Sequence, residues 1–264
     1  LKLSKCFKKL CYICVKCTKK SALYVIMIKM KSNFRYLLEF LIIITGVLIS
    51  FYLDDVRQLN EKKGYKDKLI SELLVSSEQD LAQIENITKD LNQVQNNIAT
   101  MLEDINDGSK DLQDSIIAEK YLFITQKMSV SFFPQNGTFD QLISTGSMEL
   151  IDSDKFRRVL LNNYTHYYDR NSANNRTLDD LYLAFGANID PHILVKPIEE
   201  KDASFIYANK SVGDFEIDEE FYMSNMFQAY LLTAQSMVGK NIDMLNIFQI
   251  SYQEIIDLAN EEIQ

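Results

Sequence analysis

Residues 37–53 are apolar around the full circumference of a helix, with Glu39 the one charge among them. Twelve of these seventeen residues are Leu, Ile, Val or Phe, and Phe34 to Tyr36 extend the run to the length a bilayer requires. At roughly −0.3 to −0.6 kcal/mol each, twelve such side chains favour insertion by about 4–7 kcal/mol. Glu39 opposes this by at most ~3 kcal/mol, and by less near an interface. A buried core helix would rarely be apolar on every side. Ser50-Phe51-Tyr52-Leu53-Asp54 offers no small-x-small cleavage site, which argues against a removed signal peptide. The pattern predicts a transmembrane helix over 34–55, retained as an anchor.

Beyond it the pattern becomes periodic. Ile70, Leu74, Ser77, Leu81, Ile84, Thr88, Leu91, Gln95, Ile98, Leu102 and Ile105 alternate four and three residues apart, a coiled-coil-like seam on one long helix over about 56–106. Asp107-Gly108-Ser109 stops it. A second helix is expected over 111–127, with Leu112, Ile116, Tyr121 and Ile124 inward. Thr138-Phe139-Asp140-Gln141 reads as a capping box opening a short helix that ends at Gly146. Another starts near Asp152 and displays Phe156, Val159, Leu160, Asn163, Tyr164, Tyr167 and Tyr168, and Thr177 caps one more, running to about Asn188. Asp190-Pro191 and Lys196-Pro197 bound an irregular stretch to about Asp214, with a short extended piece at 204–208. The last helix, about 218–262, repeats at Phe227, Leu231, Ala234, Val238, Asn241, Leu245, Phe248, Tyr252, Ile255 and Ala259.

The expected fold is all-α: one transmembrane helix continuing into a long stalk, followed by a helical bundle or antiparallel coiled coil over 56–264, with a helical head over about 111–189. Only 3 Pro and 8 Gly in 264 residues agree with long helices.

Charge adds a polarity to this picture. Residues 1–36 hold ten of the 28 Lys and Arg and no acid, leaving 18 basic against 37 acidic residues in the rest. So acidic a domain would repel nucleic acid. Five Lys or Arg lie close to each end of the span, so the local count is tied; the whole basic tail, 1–33, breaks the tie. It predicts a cytoplasmic N-terminus and an extracytoplasmic domain at the inner, plasma membrane.

Two segments resemble a family. Tyr36-Leu37-Leu38-Glu39, the apolar run with Gly46, Ser50-Phe51 and Asp54-Asp55, and the charged helix through Tyr65 form the first. Residues 139–151, FDQLISTGSMELI, continuing to Arg157 and Tyr164, form the second. Together they resemble a group of single-span bacterial membrane proteins, common in Bacteroidota, known as a domain of unknown function. Members often carry a Trp soon after the span, whereas this chain has none. The resemblance implies an anchor and a helical extracytoplasmic domain, and no activity.

Candidate chemistry is sparse. Cys11-x-x-Cys14-x-x-Cys17, with Cys6, has the spacing of metal and iron–sulfur sites. Translation starting at Met27 or Met30 is the favoured competing reading, so no metal and no cofactor is expected. His166 and His192, the only histidines, lack ligands at helical spacing. No phosphate loop or nucleophile elbow is present, and the chain is expected not to be an enzyme. Interaction is the better expectation. Glu39 can pair with Arg35, stay protonated, or meet a partner's cation. Gly46-x-x-x-Ser50 permits close approach of a second helix. The turn from Leu142 to Gly146 offers a surface, and Tyr164, Tyr167 and Arg170 could line a ligand pocket. The expected role is a membrane-anchored scaffold or interaction protein whose partners are the lipid bilayer and a second copy or another membrane protein. Its rival is a small-molecule-sensing domain signalling through a partner.

Overall fold

The computed structural model describes residues 32–108, 110–199 and 210–263. Cys6, Cys11, Cys14, Cys17, the basic tail before Ser32 and the extended piece at 204–208 lie outside the described residues. The chain divides into two compact units, Leu1–Lys62 and Lys63–Gln264.

It is mostly helical. α1 spans Ser32–Asn106, α2 Asp114–Lys127 and α3 Gly137–Ser144. A 3-10 turn at Ser147–Leu150 leads to α4, Asp154–Leu161, which passes through a π-helical segment, Asn162–Tyr167, into α5, Tyr168–Asn188. Strands β1, Ile193–Glu199, and β2, Lys210–Ile217, precede α6, Glu219–Tyr222, and α7, Asn225–Glu262.

In the first unit the described residues are the start of α1. Among the described residues this is the one helix long and apolar enough to cross a membrane, and none of its apolar window is buried within the chain. Its polar groups are satisfied within the helix: Thr45 Oγ1 donates to the Leu41 carbonyl at 2.7 Å and Ser50 Oγ to the Gly46 carbonyl at 3.0 Å. Such back-bonding satisfies each hydroxyl without a partner from outside the helix.

In the second unit, α1 turns a stripe inward at Ile70, Leu73, Ser77, Asp80, Ile84, Ile87, Leu91, Val94, Ile98, Met101 and Ile105, all buried. Half of the expected seam is in place. The other half moves by one residue, from Leu74, Leu81, Thr88, Gln95 and Leu102 to Leu73, Asp80, Ile87, Val94 and Met101 as its best-buried line; Leu102 is buried too. Asp80 hides that line in the sequence, because a carboxylate reads as a surface residue. Along α7 all ten positions named from the period are buried. Hydrogen bonds from Lys66 to Glu262, Tyr252 to Asp80, Gln95 to the Gln235 carbonyl and Gln228 to Asn106 pair rising numbers on α1 with falling numbers on α7. The two helices therefore run antiparallel within this unit.

Several boundaries differ from expectation for definable reasons. Thr138 does not cap α3: Asn136 is already in the right-handed helical region, the helix opens at Gly137, and no side chain caps it. The next helix is capped instead by Ser153, whose Oγ accepts from Phe156 N–H at 3.1 Å. Thr177 begins no helix. It lies inside α5 and donates to the Ala173 carbonyl at 3.1 Å. Here Asn171 and Asn175 occupy buried positions, and both Nδ2 groups donate to the Phe132 carbonyl, at 2.8 and 3.1 Å. Polar residues on the inward face disguised one continuous helical run as two.

The all-α expectation needs a correction. The stretch read as irregular forms an antiparallel hairpin, with Ile193 opposite Ile217 and Pro197 opposite Val212. Its register slips between Lys196 and Pro197, where proline cannot donate to the ladder. Gly213 is required nearby, since a Cβ there would sit 2.7 Å from Ile198 Cγ1. His192 closes the base: its ring stacks on Phe221 with centroids 4.0 Å apart, and Nδ1 lies 2.9 Å from Asp218 Oδ2. Asp218 also caps α6 by accepting from Phe221 N–H. The last long helix consequently starts at Asn225, after a break, rather than at 218.

Candidate functional site

The residues singled out from the sequence do not converge. Glu39 accepts from Arg35 Nε at 3.1 Å along the exposed face of α1. Gly46 and Ser50 lie on the same exposed segment, and a Cβ at Gly46 would meet nothing within 4 Å. Leu142 is fully buried, so it is a core residue and not a docking surface. Gly146 is exposed with φ of 71°, the left-handed conformation that ends the turn.

Tyr164, Tyr167 and Arg170 likewise fall in three different environments. Tyr164 is buried, its ring stacked on Phe139 with centroids 4.9 Å apart. Burial pushes its phenol up to about 12. Tyr167 borders a shallow hollow of about 280 Å³ formed with Val159, Asn162, Ile247, Ile250, Ser251 and Glu254. Arg170 and His166 are exposed. Less than two helical turns separate these side chains into core, rim and surface.

Two polar features were not expected. The first is internal. Asp80, fully buried on α1, accepts from Gln135 N–H at 2.9 Å, Gln135 Nε2 at 3.1 Å and the Tyr252 hydroxyl at 2.7 Å. Burial raises its pKa, and these hydrogen bonds offset only part of the rise. Phe132, Phe248 and Tyr252 pack edge-on and stacked beside it. Asp80 thus joins α1, α7 and the 131–136 loop in one low-dielectric place.

The second feature is open. A groove of about 540 Å³ runs between α2, α5 and the hairpin. Leu122, Leu183, Leu194, Val195 and Pro197 supply apolar walls; Tyr121, Gln126, Tyr182, Asp190 and Lys210 supply polar groups. Tyr121 donates to Asp190 Oδ1 at 2.5 Å. Burial and the adjacent carboxylate both push the Tyr121 phenol up, so it stays a neutral donor. Gly186, one turn before Asp190, leaves space for that side chain: a Cβ there would stand 3.4 Å from Asp190 Oδ2. Gln126 Oε1 accepts from Lys210 N–H at 3.4 Å, while its Nε2 is shielded from solvent and has no partner among the described residues. An apolar trough with a few convergent polar groups has the general character of a small-molecule site. In the sequence its parts lie about 90 residues apart, and only the hairpin assembles them.

Among the described residues, no group of three or more His, Cys, Asp or Glu is placed to hold a metal ion. The chain matches no protein-family model, no curated protein and no solved structure.

Proposed function

We propose that this chain is a membrane-anchored, non-enzymatic scaffold or interaction protein, and that it belongs with the single-span bacterial proteins it resembles. The carrying observation is the first part of α1, whose large apolar side chains, such as Ile43 at 65% and Phe51 at 66% exposure, find no cover among the described residues. Left in water, this surface forgoes the transfer free energy that a bilayer supplies, about 4–7 kcal/mol for the apolar run. In a bilayer it is the natural solvent. The N-terminal tail is cytoplasmic in this reading and the acidic 63–264 unit extracytoplasmic at the inner membrane. The long α1 and α7 stripes form an antiparallel coiled-coil pair within a helical bundle, and its polar faces are left to meet a second copy or another membrane protein. Gly46 and Ser50 permit close helix contact within the bilayer.

Crosslinking the full chain in native membranes is the test. Recovery of itself or of a defined membrane partner is expected; recovery of neither would overturn the scaffold reading.

The groove beside Asp190 favours a second reading, a small-molecule-sensing domain that signals through a partner. Its support is the apolar trough in which, among the described residues, one Asp190 oxygen and the Gln126 amide nitrogen have no partner.

A further inference from the structure

From the groove geometry we infer that its ligand is a small organic amine, bound as the ammonium with an apolar body and a hydrogen-bond acceptor. This rests on the small-molecule reading above and names the chemistry of that site. Asp190 is the anchor. Its Oδ1 is held by the Tyr121 hydroxyl, so the carboxylate is oriented, while Oδ2 makes no hydrogen bond with any described residue. An oriented carboxylate with one open oxygen suits a positively charged N–H donor. Two tyrosines, Tyr121 and Tyr182, line the same trough, and aromatic rings beside a carboxylate add attraction for an organic cation.

The remaining walls specify the rest of the molecule. Leu122, Leu183, Leu194, Val195 and Pro197 offer an apolar bed that a metal ion or a hydrated inorganic cation could not use. At the α2 side, Gln126 Nε2 is out of contact with water and has no partner among the described residues, and a ligand oxygen would remove that cost. Lys210 lies on the β2 rim, exposed, where it tolerates a polar or anionic far end. A primary amine carried on a short apolar body that also bears an oxygen acceptor matches these features together.

The test uses the full chain in nanodiscs and calorimetric titration with phenethylammonium, phenylalanine, 2-phenylethanol and 3-phenylpropionate. The two ammonium compounds are expected to bind and to weaken as salt rises; the neutral and anionic compounds should bind at least about tenfold more weakly. Asp190→Asn should lose a similar factor. Tyr182→Leu, a change at a half-exposed rim residue, should weaken ammonium binding several-fold while leaving the helical circular dichroism unchanged. Equal binding of 2-phenylethanol, or binding undiminished in Asp190→Asn, would overturn the ammonium assignment while leaving the groove a ligand site. No binding by any of the four would overturn both the assignment and the small-molecule reading.

Discussion

The ion pair between Lys66 and Glu262 is the contact on which the 63–264 unit should depend most visibly. Lys66 Nζ lies 2.7 Å from Glu262 Oε1, and the two side chains are only 7% and 4% exposed. The carboxylate also accepts from Asp152 N–H at 2.9 Å and Ser153 N–H at 3.3 Å, so one side chain joins α1, the end of α7 and the entry to α4. Burial pushes Glu262 upward, but the bonds from Lys66, Asp152 and Ser153 outweigh it and hold the carboxyl below its ordinary value. Burial pulls Lys66 down, yet its bonds to Glu262 and Asp67 leave it raised. Removing one partner of a buried pair costs about 3–5 kcal/mol, because the other charge is stranded. Lys66→Met should fall at the low end, about 3 kcal/mol, since two N–H groups still face Glu262. That corresponds to a melting shift of about 6–12 °C for a domain of this size. Glu262→Gln should cost less, because Lys66 keeps Asp67 at 3.1 Å and Gln keeps one acceptor oxygen, enough for one of the two N–H groups.

The pH dependence has a definite sign. A carboxyl lowered on folding contributes stability above its unfolded value near 4.3, and loses it as pH falls through the folded one. A raised lysine contributes below about 10.4 and loses it as pH rises through its folded value. The pair therefore acts in full across roughly pH 5–10, and Lys66→Met should move acid unfolding to higher pH. Urea and thermal unfolding of the detergent-solubilised chain, followed by circular dichroism, would measure this, with Lys66→Met/Glu262→Gln completing a double-mutant cycle. A Lys66→Met cost below about 0.5 kcal/mol, or strictly additive single changes, would refute the reasoning.

Two other changes separate polar satisfaction from backbone strain. Asp80→Ala leaves the donors of Gln135 and Tyr252 unpaired in the core and should cost about 2–4 kcal/mol. Because the folded pKa of Asp80 is raised, its own contribution is present below about 3.9 and fades as pH rises through the folded value. Asp80→Asn should therefore gain on the parent as pH rises from 4 to 7, measured by urea midpoints at each pH. Gly146→Ala meets no atom within 4 Å but forces a side chain into positive φ, so a loss of about 1–2 kcal/mol in the same assay is expected.

Where the sequence was legible, one physical period dominated. α7 buries an apolar or small residue at nearly every turn, and its whole stripe could be read without knowing what it packs against. The apolar run of 37–53 is legible for a similar reason: being long and apolar enough to span a bilayer is a matter of local composition, not of partners. Legibility failed where polar residues face inward. Asp80, Asn171 and Asn175 are buried because Gln135, Tyr252 and the Phe132 carbonyl meet them. Those partners are 39–172 residues away in the chain.

By itself, then, the sequence determined the long apolar helix, the helical class and the inward face of α7, since each is a local property repeated along one element. The tertiary structure alone decided which line of α1 faces the core, that residues 193–217 include a hairpin rather than a loop, and that Tyr121 and Asp190 share a groove. Each of these depends on a hydrogen bond or a packed wall contributed from elsewhere in the chain, and a carboxylate's position, inside or out, follows from the donors that reach it.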